Sequence, residues 1–69
     1  MKTFAERLKE LRCEKSMSLM DLAKATGLSH SALVYWENAR RVPNANAVIV
    51  LAKFFGVTTD YLLGIDESK

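Results

Sequence analysis

One imidazole and one thiol leave this 69-residue chain little with which to make or break bonds. His30 has no second histidine to work with and Cys13 no second cysteine, so neither a zinc-type ligand set nor a nucleophile–base pair can be assembled. No glycine-rich phosphate loop is present, and an enzyme, a metal site or a bound cofactor is not expected. What remains is the chemistry of recognition. In the stretch GLSHSALVYWENARR, residues 27–41, an imidazole (His30), a hydroxyl (Ser31), an isopropyl group (Val34) and a phenol (Tyr35) are interleaved with Ala32, Leu33 and Trp36. Two guanidinium groups, Arg40 and Arg41, follow. At about 100° per residue, positions 30, 31, 34 and 38 oppose the Ala32/Leu33/Trp36 stripe, while Tyr35 and Glu37 fall on opposite flanks. A helix from Ser29 to Glu37 would therefore bury one face and offer the other to solvent or a partner.

Such a face needs a scaffold, and the rest of the chain reads as five short helices with no strand. Thr3-x-x-Glu6 is a capping-box pattern that opens the first helix, which runs to about Lys15 with Phe4, Leu8, Leu11 and Arg12 on one side. Ser18, with Asp21 three residues on, caps the second, Gly27 follows its end, and Leu22 and Ala23 form its inward strip. Ser29 caps the third. Pro43-Asn44 breaks the chain and caps a fourth, with Val48, Leu51, Ala52 and Phe55 inward and Gly56 closing it. Thr58 or Thr59 starts a last short helix through Leu63, ended by Gly64. The short connections predict that consecutive helices pack as neighbours in one all-α domain over residues 1–69.

The second and third segments, residues 18–37, have a specific relation. A helix of about eight residues, a glycine-containing turn and a second short helix give the spacing of a helix-turn-helix. That geometry lets the first helix cross a duplex backbone while the second presents its N-terminal half to the major groove, which admits one helix. The small side chain of Ala23 suits the point where the two helices approach. A helix–glycine–helix element also serves in bundles that bind no nucleic acid, so spacing alone leaves both uses open.

Composition sets the outer bounds. The hydrophobic fraction of 49% is that of a globular chain, near the lower size at which one core holds a fold. Charges interrupt every apolar run in MKTFAERLKELR, so no signal peptide or membrane span is expected; a single thiol fits a reducing compartment, and the reading is cytoplasmic. The net charge of +2 is too small to argue for a polyanionic partner by itself. Its distribution is uneven: residues 1–59 carry the positive excess, whereas Asp60, Asp66 and Glu67 face one lysine beyond, an acidic end expected to turn away from a polyanion.

The run LAKATGLSHSALVYWENARRVPNANAVIVLAKFFGVTTDYLLG resembles the lambda-repressor-like family of phage repressors, Cro proteins and bacterial Xre-type regulators. The resemblance extends from FAERLKELR to DYLLG, and its most specific parts are LA…GLS, WEN, the proline after the basic pair, and LAKFFGV…DYLLG. It implies a five-helix domain, dimeric on a short inverted repeat in double-stranded DNA, that regulates transcription, as a repressor in the leading reading. By position, residues 29–37 become the recognition helix and His30, Ser31, Val34 and Tyr35 its base-contacting set. His30 is either a donor to a guanine edge or a solvated side chain, and Ser31 reads a base or bonds a phosphate. Val34 meets a thymine methyl or is simply exposed, and Tyr35 touches DNA or packs at the edge of the core. Arg40 and Arg41, with Asn38 and Asn44, occupy the family's phosphate-contacting region. The resemblance also implies a structural ion pair between Arg12 and Glu37, with Trp36 in the core.

The chain departs from the family's pattern at informative places. Leu19 stands where many members place a phosphate-touching glutamine, leaving only the backbone N–H groups of that helix N-terminus for the contact. Ala39 replaces the glycine that usually follows Glu-Asn, which puts a left-handed turn at some cost unless Asn38 adopts it. Tyr61, Leu62, Leu63 and Ile65 supply more apolar groups than so short a helix needs, and family habit makes them the expected homodimer surface. A different class of function stays open: Leu19, Met20, Val34 and Val50 look too apolar for exposed positions, which suits a protein-interaction module, antitoxin-like or co-regulator-like, on the same fold. Cys13 falls opposite the Phe4/Leu8/Leu11 face and is read as a surface residue. No small-molecule ligand or membrane partner is indicated.

Overall fold

A computed structural model describes residues 2–69, and among these every regular element is helical. Helix α1 spans Phe4–Glu14, α2 Leu19–Thr26, α3 His30–Glu37, α4 Ala45–Phe55 and α5 Thr59–Leu62. Each begins where a short polar side chain can take up an orphan N–H. Thr3 and Ser18 accept from the N–H groups of Glu6 and Asp21, whose carboxylates return the bond to the cap backbone. Ser29, Asn44 and Thr58 accept from Ala32, Ala47 and Tyr61, which settles the start of α5 on Thr58. The reciprocal bonds hold the Glu6 and Asp21 carboxyls below the ordinary carboxylate range, chiefly through the backbone N–H groups of Thr3 and Ser18.

Each of the five helices ends through a left-handed residue, and two of those residues are not glycine. Gly27 closes α2, Gly56 closes α4 and Gly64 follows α5, as expected. After α1 the left-handed position is Ser16 and after α3 it is Ala39, with φ of 55° and 58°. Asn38 stays at φ −93°, so the strain falls on the alanine. Around it the backbone closes a Schellman motif: the N–H of Arg40 donates to the Tyr35 carbonyl at 2.9 Å and that of Ala39 to the Trp36 carbonyl at 3.2 Å.

The core lies between all five helices. Leu8, Leu22, Leu33, Leu51 and Leu62 are fully buried, with Leu11, Trp36, Ala47, Val48 and Ala52 around them. The inward strips read from the sequence hold in direction for α1, α2 and α4, with Phe4, Arg12, Ala23 and Phe55 half-buried at their margins and Ala47 added to the core. The largest departure is Arg7, which periodicity places among the charged positions of α1 yet is 2% exposed. Its guanidinium lies 3.8 Å from the centre of the Tyr61 ring, donates to the carbonyls of Tyr61 and Asp66 at 3.1 Å, and pairs with Glu67 at 3.2 Å. Part of the acidic end is thereby strapped onto α1. No described helix is long and apolar enough to cross a membrane.

Candidate nucleic-acid interface

Helix α3 is held from behind by burial and from one end by charge. Leu33 and Trp36 are buried, and Phe4 meets the indole edge-on with ring centres 6.4 Å apart. Glu37, whose side chain is 7% exposed, receives a two-pronged donation from Arg12: Nε to Oε2 at 2.7 Å and Nη2 to Oε1 at 3.0 Å. The remaining Arg12 nitrogen, Nη1, donates to the Met17 carbonyl at 2.7 Å, so one guanidinium ties together α1, the loop before α2 and the end of α3. The bond to Glu37 raises the Arg12 pKa, keeping the cation in place at any physiological pH. A carboxylate near a polyanion is thus neutralised, and the helix cannot rotate without breaking a planar fork.

With its back fixed, α3 presents His30, Ser31 and Tyr35 to solvent, and Val34 is half-buried beside them. Of the four positions that helical spacing sets opposite the apolar stripe, His30, Ser31 and Asn38 are exposed and Val34 is half-buried, while Tyr35, expected on a flank, is exposed as well. The Asn38 side-chain NH2 group donates to the Val34 carbonyl at 3.0 Å and extends the helix end. Arg40 and Arg41 project from the loop after α3 and are exposed. The Arg41 guanidinium lies 4.8 Å from the centre of the Tyr35 ring. At the start of α4, Asn44 is occupied as a cap through its carbonyl oxygen, 2.8 Å from the Ala47 N–H, and its NH2 group stays available. Leu19, at the first position of α2, is half-buried against the core, and its backbone N–H has no acceptor within the helix.

The expected dimer surface needs correction. Leu62 is fully buried, because the single turn of α5 points it into the core, and half-buried Tyr61 has a face covered by Arg7. Leu63 and Ile65 are 38% and 64% exposed. The sequence reading missed two further exposed groups, Val42 at 89% and Ile49 at 46%. Val42, Pro43 and Leu63 border one apolar hollow with Phe4 and Trp36, and Ile49 adjoins Pro43 and Leu63 in a neighbouring one. The signal for Val42 was its position in a polar loop between a basic pair and a proline. The apolar residues that suggested a partner-binding surface are mostly accounted for by packing: Leu19, Val34 and Val50 are half-buried and only Met20 is exposed.

A family profile described as helix-turn-helix matches residues 8–62. The HTH-type transcriptional activator BcrR of Enterococcus faecalis is 36% identical over 64 residues, 93% of this chain and 31% of that protein. The HTH-type transcriptional regulator AnsR of Bacillus subtilis (strain 168) is 38% identical over 64 residues, again 93% of this chain and 55% of the relative. The chain therefore spans between about a third and just over half of these curated relatives. Among solved structures, the P22 c2 repressor in complex with a synthetic operator superposes with a TM-score of 0.86 at 29% identity, over 96% of this chain and all of that one. The solution structure of the DNA-binding domain of the same repressor gives 0.81 at 26% identity, over 99% and 92% of the two chains.

Proposed function

We propose that this chain, which belongs to the lambda-repressor-like family of helix-turn-helix transcriptional regulators, is a sequence-specific binder of double-stranded DNA that lays α3 in the major groove. The observation that carries the reading is the contrast between the two sides of that helix. Leu33, Trp36 and the Arg12–Glu37 fork fix its back, while His30 and Ser31 stand exposed on the first turn with no intramolecular partner among the described residues. A rigid helix with free donors at its N-terminal end is what direct base reading requires. His30 donates to a guanine edge, Ser31 to a base or its phosphate, and Val34 covers a thymine methyl. Arg40, Arg41, the Asn44 NH2 group and the N–H of Leu19 hold the flanking phosphates.

One module this small makes few phosphate contacts, so the reading includes a homodimer on an inverted repeat, with half-sites about one helical turn apart. Leu63 and Ile65, continued by Val42 and Ile49, supply the apolar surface for it. Occupying an operator excludes other proteins by bulk alone, and the structural neighbour is a repressor, which supports repression, while the relative BcrR is an activator. The setting is the cytoplasm, consistent with the single free thiol of Cys13.

The test separates positioning from reading. Arg40→Ala weakens binding to every duplex and lowers the salt slope by about one. His30→Ala and Ser31→Ala weaken preferred sites selectively, by about 1–3 kcal/mol for a direct contact. Equal losses on all sequences from the three changes would remove the base-reading roles.

A further inference from the structure

Two aromatic–guanidinium contacts in this chain look alike and are put to different uses. At Tyr61, the Arg7 guanidinium is buried, with Nη1 donating to two carbonyls, Nη2 paired with Glu67 and Nε left without an acceptor. At Tyr35, the Arg41 guanidinium is exposed and, among the described residues, has no hydrogen-bond or ion-pair partner. Its place over the ring is set from two directions. The Tyr35 carbonyl accepts the N–H of Arg40 at 2.9 Å, folding the loop back over the end of α3, and the Tyr35 ring then receives the next side chain.

Resting on the reading of this chain as a DNA binder, we propose that Tyr35 is a positioning residue rather than a base reader: its ring is the platform that holds Arg41 ready for a backbone phosphate. A free arginine on a loop samples many rotamers and loses that freedom when it binds an anion. Stacking on an aromatic face removes much of the freedom beforehand and leaves all the N–H groups at the guanidinium edge available. Because the ring belongs to α3 and the cation to the loop, the phosphate contact is locked in register with the helix that reads the bases. The left-handed turn at Ala39 serves the same end, since without it the Arg40 N–H would not reach the Tyr35 carbonyl.

The experiment compares wild type, Tyr35→Leu, Tyr35→Phe, Arg41→Ala and the Tyr35→Leu/Arg41→Ala double variant. Binding to several 20-base-pair duplexes of unrelated sequence is measured across a salt series by fluorescence anisotropy, and the Arg41 δ-proton shifts of the free protein are followed by NMR. Tyr35→Leu should weaken binding to every duplex by roughly two- to fivefold, the range of an exposed cation–π contact. It should add nothing once Arg41 is alanine, and Tyr35→Phe should recover most of the loss. In wild type the Arg41 δ-protons should be shifted upfield by the ring, in Tyr35→Leu not. A loss in Tyr35→Phe equal to that in Tyr35→Leu, a loss confined to one sequence, or additive losses in the double variant would overturn the proposal and return Tyr35 to the base-reading set. Failure of the wild type to bind any duplex would defeat the DNA-binding reading instead, with the ring-current shift still deciding whether the stack exists.

Discussion

Replacing Ala39 by glycine should make the protein more stable, against the usual effect of exchanging alanine for glycine. At φ 58° the alanine Cβ crowds its own backbone, a cost of about 1–2 kcal/mol for an L-residue in the left-handed region. Glycine escapes that cost but gives back about 0.5–1 kcal/mol through the extra freedom of its unfolded chain. Ala39 is exposed, so losing its methyl group sacrifices little burial. The balance is a gain of about 0.5–1 kcal/mol, a rise in Tm of a few degrees for a domain of this size. Thermal and urea unfolding followed by circular dichroism would measure it. Ala25→Gly, on the exposed side of α2, is the control with opposite sign, losing about 0.5–1 kcal/mol. If Ala39→Gly lost stability as Ala25→Gly does, the strained turn after α3 would be refuted, and with it the backbone route that brings Arg40 to Tyr35.

Gly64→Ala should be harmful for the complementary reason: at φ 81° a Cβ is strained and would run into the Lys2 carbonyl, so a loss of about 2–3 kcal/mol in urea unfolding is expected. Glu37→Ala should cost about 3 kcal/mol because it strands the partly buried Arg12 cation, and an Arg12→Met/Glu37→Leu double variant should recover much of that; additive losses would mean the pair is not coupled. The Glu6 and Asp21 carboxyls titrate lower in the folded chain than in the unfolded one, so their contribution is present above the ordinary carboxylate range and lost as pH falls through the folded values. Stability should therefore drop below about pH 4, and more gently in a Glu6→Gln/Asp21→Asn variant.

Most of the fold was legible because its signals are local. Thr3 with Glu6, Ser18 with Asp21, and the caps Ser29 and Asn44 lie within one turn of the groups they satisfy, and the apolar faces of α1, α2 and α4 repeat often enough to define a side. Helix α5, of four residues, has no such repeat, so Leu62 and Leu63 could not be told apart although one is buried and the other exposed. Arg7 was hidden for a different reason. Its carbonyl acceptors lie 54 and 59 residues further along the chain, and backbone oxygens leave no trace in residue type. In the candidate interface, helical spacing gave exposed His30, Ser31 and Asn38 but not the half-burial of Val34, and the Arg12–Glu37 pair followed from resemblance to the family. The contact of Arg41 with Tyr35 depends on the path of the loop, which Ala39 sets against its own preference.

Whether the exposed face of α3 reads DNA sequence can be measured by selecting from a randomised duplex pool with the wild-type protein and titrating the enriched duplexes with salt by fluorescence anisotropy. An enriched inverted repeat with half-sites about one helical turn apart, bound with a steep salt slope, is the expected result. Weak binding with no enriched sequence, even at low salt, would contradict it and turn attention to the apolar surface around Val42, Ile49 and Leu63 as a site for a protein partner.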